Sequence, residues 1–312
     1  MKIYFVLSKI NTIRVNCGVE ALHTEAQRQG HPHEVLTGPD PRVLAAEPGL
    51  VIINFKHYFK NRTAFSPWLR RLRKAGFVTA NYHIDAPYNN GLKTWAWWLL
   101  RHGDWPFDLF FTHSVEADAP ASSRTVYLPN ACGLELIDTT VETPRYDVGF
   151  CGNFSATNPE HRKRVELLQT LERMFQSRGI SCILRQDDTT METWLRHGRE
   201  CFLQLSAGST ADLPHQMSHG MPARIYGFSC IGALTLIEPR HHLRDDFPAP
   251  FDLPTYRTPE ECVETVTALL RDREATLQRR RRLMEFARAR HQYSHRLATL
   301  LQNAARIGTQ TE

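Results

Sequence analysis

Short apolar runs alternate with amphipathic stretches along almost the whole chain. Residues 2–8 (KIYFVLS), LVIINF (50–55), FVTANYHID (77–85), DLFFTHS (108–114) and TVYLPNA (125–131) are brief and largely unbroken, as strands are when both faces of a sheet are covered. HPHEVLTG (31–38) adds a strand with more polar positions. Between these runs, Val19, Leu22 and Ala26 repeat at helical spacing from Gly18 to the capping Gly30. SPWLRRLRKAG (66–76) and an aromatic segment at 94–102 predict two further helices. Strands separated by helices imply βαβ units and a parallel sheet.

The pattern lapses over GLELIDTTVETPR, after Cys132, and then restarts. YDVGFCGNF (146–154) predicts a strand entering a Gly-Asn turn, followed by a helix to Gly179, the strand SCILRQ, the helix TTMETWLRHGRE and the strand CFLQLSAG (201–208). Helices from Pro259 to about Arg273 and on through Gln292 close this half, and SHRLATLLQNAARI adds an amphipathic helix. No short-period repeat is present, so the chain reads as α/β with two Rossmann-like, parallel-sheet lobes. The expected divisions are an N-terminal lobe at 1–132, a linker at 133–145, a second lobe at 146–293, and a C-terminal helix and tail at 294–312 that packs back towards the first lobe. Ligands of such sheets bind outside the carboxyl ends of the strands, so two facing lobes would form a cleft.

The stretch MPARIYGFSCIGALTLIEP (221–239) stands out within the second lobe. Met221 and Pro222 precede a first helical turn, Gly232 sits where a helix closes with positive φ, and an apolar strand follows. The unpaired N–H groups and positive dipole end of such a helix attract an anion, and Arg224 in the first turn adds a full charge. In outline this is a phosphate site.

Composition narrows the classes. At 312 residues, with 42% hydrophobic and 23% charged positions, the chain fits a folded two-domain protein. TWAWWLL (94–100) is far short of the about 18 apolar residues a membrane span needs. The apolar run at the N-terminus is too short for a secretory signal, which points to the cytoplasm. Seven cysteines at 17, 132, 151, 182, 201, 230 and 262, with no CxxC pair, read as free buried thiols. The net charge of +5 owes much to RRLRK (70–74) and RRRR (279–282). Either run is a solvated helix face or a surface for an anionic ligand, an acidic membrane or nucleic acid.

Several features together resemble a known family. DVGFCGNF, the helix start with Arg162 and Arg164, PARIYGFSCIGALTLIE, and the ending HQYSHRLATLL are similar to GT-B glycosyltransferases, closest to the spore-maturation CgeB-like group. In the first half, CGVEALHTEAQRQGHPHEV looks like the first loop and helix of many such transferases, and HIDAP, FDLFFTHS and VYLPNA resemble the group's own N-lobe. The resemblance implies a nucleoside-diphosphate-sugar donor held by the second lobe, an unidentified acceptor at the first, and no cofactor beyond the donor substrate. A departing nucleoside diphosphate needs positive charge or N–H donors. The sequence contains no Asp-x-Asp metal motif, so a metal-independent reaction is expected. The group commonly carries a glutamate three residues after the arginine, where a carboxylate holds the ribose; here that place is Gly227. The alternative readings are a non-catalytic GT-B binding protein and a nucleic-acid-associated protein.

Each candidate residue has a competing structural reading. Arg224 is a phosphate ligand or a surface arginine paired with a carboxylate, and Tyr226 is a base-stacking platform or a packed aromatic. Asn153 either faces phosphate or serves its turn. Arg162, Arg164 and His219 complete the donor-binding candidates. Asp85, at the end of a strand, could take a proton or hold a sugar hydroxyl, or cap the turn before Pro87; His83 alternates with it and points the same way. These two are the catalytic candidates. His57 and Asn54 are weaker ones. HQYSH (291–295) has metal-ligand spacing but reads as surface histidines. The tryptophans at 94–100, flanked by Lys93 and Arg101, fit lobe core or peripheral docking at the inner membrane face.

Overall fold

The computed structural model describes residues 1–7, 18–83, 103–113, 124–133, 144–152, 162–185, 191–208 and 221–308. The chain forms two compact units, Met1–Asn130 with Tyr293–Glu312, and Ala131–Gln292.

The first unit is built on a parallel sheet of β1 (Ile3–Val6), β2 (His33–Leu36), β3 (Leu50–Asn54), β4 (Val78–His83), β5 (Leu109–Thr112) and β6 (Arg124–Tyr127), in the order β2-β1-β3-β4-β5-β6. Ile3, Tyr4, Phe5 and Val6 are fully buried, as expected of a strand covered on both faces. Helix α1 (Val19–Arg28) follows Gly18, whose φ of 73° suits glycine. Phe55 and Tyr58 then start a short α2 (Phe55–Lys60), which the sequence pattern did not separate, and α3 (Arg62–Lys74) carries the predicted helix back past Pro67 to Arg62. Arg70 and Arg73 of the basic run pair with Asp104 at 3.0 Å and Asp108 at 2.8 Å.

The second unit holds β7 (Tyr146–Cys151), β8 (Cys182–Arg185), β9 (Cys201–Ser206) and β10 (Leu234–Ile237) in the parallel order β10-β9-β7-β8. Its helices are α4 (Arg162–Ser177), α5 (Met191–Arg199), α6 (Ala223–Cys230), the single turn α7 (Leu243–Asp246), α8 (Pro259–Arg271) and α9 (Arg273–Arg290). The apolar core packs Val148, Phe150, Leu203, Leu205, Leu234 and Leu236 of the strands against Leu168 and Leu171 of α4 and Val263 and Val266 of α8. The basic helix α9 works inside this unit. Arg280 and Arg288 donate through Nε to the Gly232 and Cys230 carbonyls at 2.6 and 2.8 Å, which satisfies the orphan carbonyl end of α6. Arg279 reaches Asp252, with Nη2 2.7 Å from its carbonyl oxygen.

The last helix, α10 (Tyr293–Gly308), returns to the first unit and packs on α1. The Gly18 N–H donates to the Tyr293 hydroxyl at 3.0 Å. Buried Arg296 donates from Nε to the Pro129 carbonyl and from Nη2 to the Asn130 carbonyl, at 2.8 and 2.9 Å. Arg296→Ala is therefore expected to destabilise the first unit by about 2–4 kcal/mol, read as a lower urea midpoint. His291 corrects the surface-histidine expectation. It is 4% exposed, lies against Tyr226, Phe247 and Phe286, and places Nε2 2.8 Å from the Asp246 carbonyl. Among the described residues there is no cluster suited to a metal ion, and no helix long and apolar enough to cross a membrane.

Candidate functional site

In the second sheet the chain runs from β7 outward to β8 and then returns to place β9 on the other side of β7. The order therefore reverses between β7 and β9, and ligands of parallel sheets bind outside the carboxyl ends at such a reversal. Those ends are Cys151 and Ser206, and the arginine side chains that converge there come from three other elements.

Arg224, in the first turn of α6, is 8% exposed and donates from Nη1 to the Cys151 carbonyl at 2.8 Å. Its guanidinium lies 5.4 Å from the Phe150 ring centroid and 6.0 Å from that of Trp194 on α5. Arg164 of α4, also 8% exposed, donates from Nε to the Gly208 carbonyl at 3.0 Å and lies 6.0 Å from the Phe150 centroid. Arg240, just beyond β10, is 6% exposed with Nη2 3.7 Å from Glu238 Oε2. Glu238 Oε2 in turn accepts the Gly208 N–H at 2.6 Å.

Burial, and then the charges of Arg164 and Arg240, pull the Arg224 guanidinium down to about 9, so it is still charged at neutral pH. Three buried arginines, Arg164, Arg224 and Arg240, share this end of the sheet, and Arg224 Nε is buried without a hydrogen-bond partner among the described residues. A buried, unpaired cationic N–H is costly, and an anion would relieve it. The helix adds to this potential. The first turn of α6 holds no acidic residue, and its N-cap, Pro222, makes no side-chain capping bond. The approach at Gly152 is so close that a Cβ there would stand 2.2 Å from Arg224 Nη1 and the guanidinium would have to shift.

The structure brings Arg164 and Arg224 together and places other candidates elsewhere. Arg162 is exposed, at the first position of α4. Tyr226 is corrected from a donor platform to a core residue. It is fully buried, donates its hydroxyl to Asp246 Oδ2 at 2.5 Å, and leaves no ring face for a base. His83 is the last residue of β4, in register with Thr112. Asp85, Asn153 and His219 lie outside the described residues, as does the tryptophan run at 94–100. Sequence reasoning missed Arg240, whose signal is a basic residue directly after the end of a predicted strand, and the aromatic seats Phe150 and Trp194.

A family model described as glycosyl transferase-like matches residues 204–302, the span that holds β10, α6, Glu238 and Arg240. Among curated proteins, none matches the sequence significantly. Solved structures match it in fold. A sucrose-phosphate synthase from Thermosynechococcus elongatus superposes with a TM-score of 0.62 at 10% identity, covering 98% of this chain and 99% of its own. Alr3699/HepE of Anabaena, in complex with UDP and glucose, gives 0.59 at 12% identity, covering 98% and 99%. The DNA-modifying enzyme beta-glucosyltransferase gives 0.57 at 10% identity, covering 98% and 100%. Other matches are longer, and the chain spans 59% of the one in the GtfA/B complex and 54% of TarM. The chain thus has the two-lobed, parallel-sheet fold of GT-B glycosyltransferases, and its residues 204–302 carry a glycosyl transferase-like segment.

Proposed function

We propose that this chain is a glycosyltransferase that moves a sugar from a nucleoside-diphosphate-sugar donor to a hydroxyl-bearing acceptor, without a metal ion. The observation that carries the reading is the buried, unpaired Nε of Arg224 among three guanidiniums at the sheet reversal. As the bond between the sugar's anomeric carbon and the β-phosphate oxygen breaks, negative charge builds on the diphosphate. Fixed cations in a low-dielectric site stabilise that charge without reorganising. Arg164, Arg224 and Arg240 supply positive charge where other enzymes use a metal, and the N–H groups of α6 add donors. The absence of an Asp-x-Asp pair from the sequence fits this division of labour. Asp85, with His83 beside it in sequence, is the proposed acceptor of the incoming hydroxyl's proton. A Anabaena relative in fold was solved with UDP and glucose, which makes UDP-glucose the first donor to try.

Gly227 favours a second reading, a binding protein of the same fold without turnover, because glycine cannot grip a ribose. Incubation with a panel of nucleoside-diphosphate sugars in the presence of EDTA separates the two. The transferase reading expects release of nucleoside diphosphate from at least one donor, undiminished by EDTA. Ligand-induced thermal stabilisation with no release would instead establish the binding protein. Neither release nor stabilisation across the panel overturns both. Because the Arg224 charge persists to about pH 9, diphosphate binding is expected to hold through pH 8 and weaken only above about 9, in contrast to a histidine-held anion, which lets go near 6.5.

A further inference from the structure

The first unit carries a cavity that plays no part in the proposed donor binding. It has a volume of about 470 Å³, within the range of small-ligand sites, and lies between α3 and residues 103–105, which lead into the amino end of β5. The usual ligand edge of a parallel sheet is the opposite one, at the carboxyl ends of the strands. The floor is buried Tyr58 and Trp105, with ring centroids 5.7 Å apart. Arg62, Thr63, Ser66, Pro67 and Arg70 recur at three- and four-residue spacing, so one face of α3 makes the wall. Asp104 adds a carboxylate, 3.0 Å from Arg70 Nη2. These groups differ in kind. Arg62 and Arg70 donate and Asp104 accepts, while the Thr63 hydroxyl and those of Tyr58 and Ser66, 2.8 Å apart, do both. Burial holds the Tyr58 phenol above its usual range, so it stays a neutral hydroxyl. Pro67 exposes a further acceptor: having no N–H, it leaves the Thr63 carbonyl, four residues back, without its usual helical bond. A phosphate calls for donors, and the Asp104 carboxylate and a carbonyl oppose it. Each hydroxyl of a sugar both donates and accepts, so a mixed lining matches a saccharide. Two guanidiniums against one carboxylate leave a positive charge, which matches an acidic group on that saccharide. The Arg70–Asp104 pair is largely exposed, adds little to stability, and is available to regroup around a ligand.

We infer that this cavity binds a saccharide bearing a carboxylate, such as a hexuronate unit of a glycan. Arg62 meets the carboxylate, and Asp104, the Thr63 carbonyl and the Tyr58–Ser66 hydroxyl pair meet the ring hydroxyls. The site goes beyond the donor reading and stands without it, because the arginines proposed for the diphosphate all belong to the second unit.

NMR titration of the full chain with methyl glucuronide, methyl glucoside and inorganic phosphate tests it, in the wild type, Arg62→Ala and Thr63→Phe. Both substitutions fall on exposed positions of α3, so each variant should melt within about 2 °C of the wild type. The wild type is expected to bind the glucuronide with a Kd on the order of 1 mM, as suits a ligand of that size, and the glucoside about tenfold more weakly for want of the charge-assisted bond. Arg62→Ala should lower glucuronide affinity about tenfold and leave glucoside affinity within about twofold, a split that general damage to the fold would not produce. Thr63→Phe, which fills the cavity, should abolish binding of both sugars. The inference fails if the wild type binds neither sugar, if the glucoside binds as tightly as the glucuronide, or if phosphate binds more tightly than either. It also fails if both variants bind the glucuronide as the wild type does, since the sugar then sits elsewhere on the chain. None of these results touches the donor reading, which stands or falls on the nucleoside-diphosphate-sugar panel.

Discussion

Arg224→Met is expected to lower nucleoside diphosphate affinity about a hundredfold, or 2.7 kcal/mol, while making the unliganded protein more stable. The loss of affinity follows from removing a desolvated guanidinium whose Nε has no hydrogen-bond partner among the described residues. Charge-assisted bonds in such a site are worth about twice a neutral one. The gain in stability follows from the same burial. The fold holds this cation next to Arg164 and Arg240, with its affinity for a proton pulled down to about 9, and that cost is borne whenever no anion is bound. A thioether of similar length removes the cost and keeps the contacts with Phe150 and Trp194. Losing the bond to the Cys151 carbonyl offsets part of the gain. A net gain of about 1–2 kcal/mol is expected, by analogy with buried charges replaced by apolar side chains. For a unit of this size that corresponds to a melting temperature higher by about 3 °C or more. Differential scanning calorimetry with and without pyrophosphate reads both effects, and the variant should also lose the ligand-induced shift that the wild type shows.

Gly152→Ala probes the same side chain from the opposite wall. The added methyl would stand 2.2 Å from Arg224 Nη1 and 3.1 Å from the Phe150 ring, so the guanidinium has to leave its seat on the Cys151 carbonyl. Affinity for diphosphates is expected to fall about tenfold or more, with about 1–2 kcal/mol of destabilisation from crowding. The diagnostic is non-additivity. In an Arg224→Met background the clash partner is gone, so Gly152→Ala should cost little further affinity, and the double-mutant cycle should show a coupling of about 1 kcal/mol or more. Additive losses would mean that Gly152 acts on the turn rather than through the arginine.

Much of the fold was legible because parallel strands covered on both faces are written as continuous apolar runs, and their helices as 3.6-residue repeats. The strand IYFV and the helix–strand unit around PARIYGFSCIGALTLIE are such cases. Arg224 could be found because a helix start is a local signal, and Arg164 because it lies in the first turn of the helix after the first strand of its lobe. What local pattern cannot carry is strand order. That β9 lies beside β7, and β10 beyond it, brings Arg240 and Glu238 to the cluster, and nothing near those residues in sequence announces it. Depth is hidden for the same reason. HQYSH is polar throughout, yet His291 is enclosed by aromatics from three other segments, and Tyr226 is turned inward by a bond to Asp246 twenty residues on. The basic runs misled in the same direction. Arg70, Arg73, Arg279, Arg280 and Arg288 are occupied with carboxylates or helix-end carbonyls, so their charge weighs less towards a nucleic acid surface than composition suggested.

The central claim is that the buried arginines at the β7–β9 reversal receive the diphosphate of the donor. A crystal structure of the protein grown with a nucleoside diphosphate, UDP first, tests it most directly. The account predicts phosphate oxygens within hydrogen-bond distance of Arg224 Nε. A nucleotide bound with its phosphates elsewhere, leaving Arg224 Nε unpaired, would contradict it.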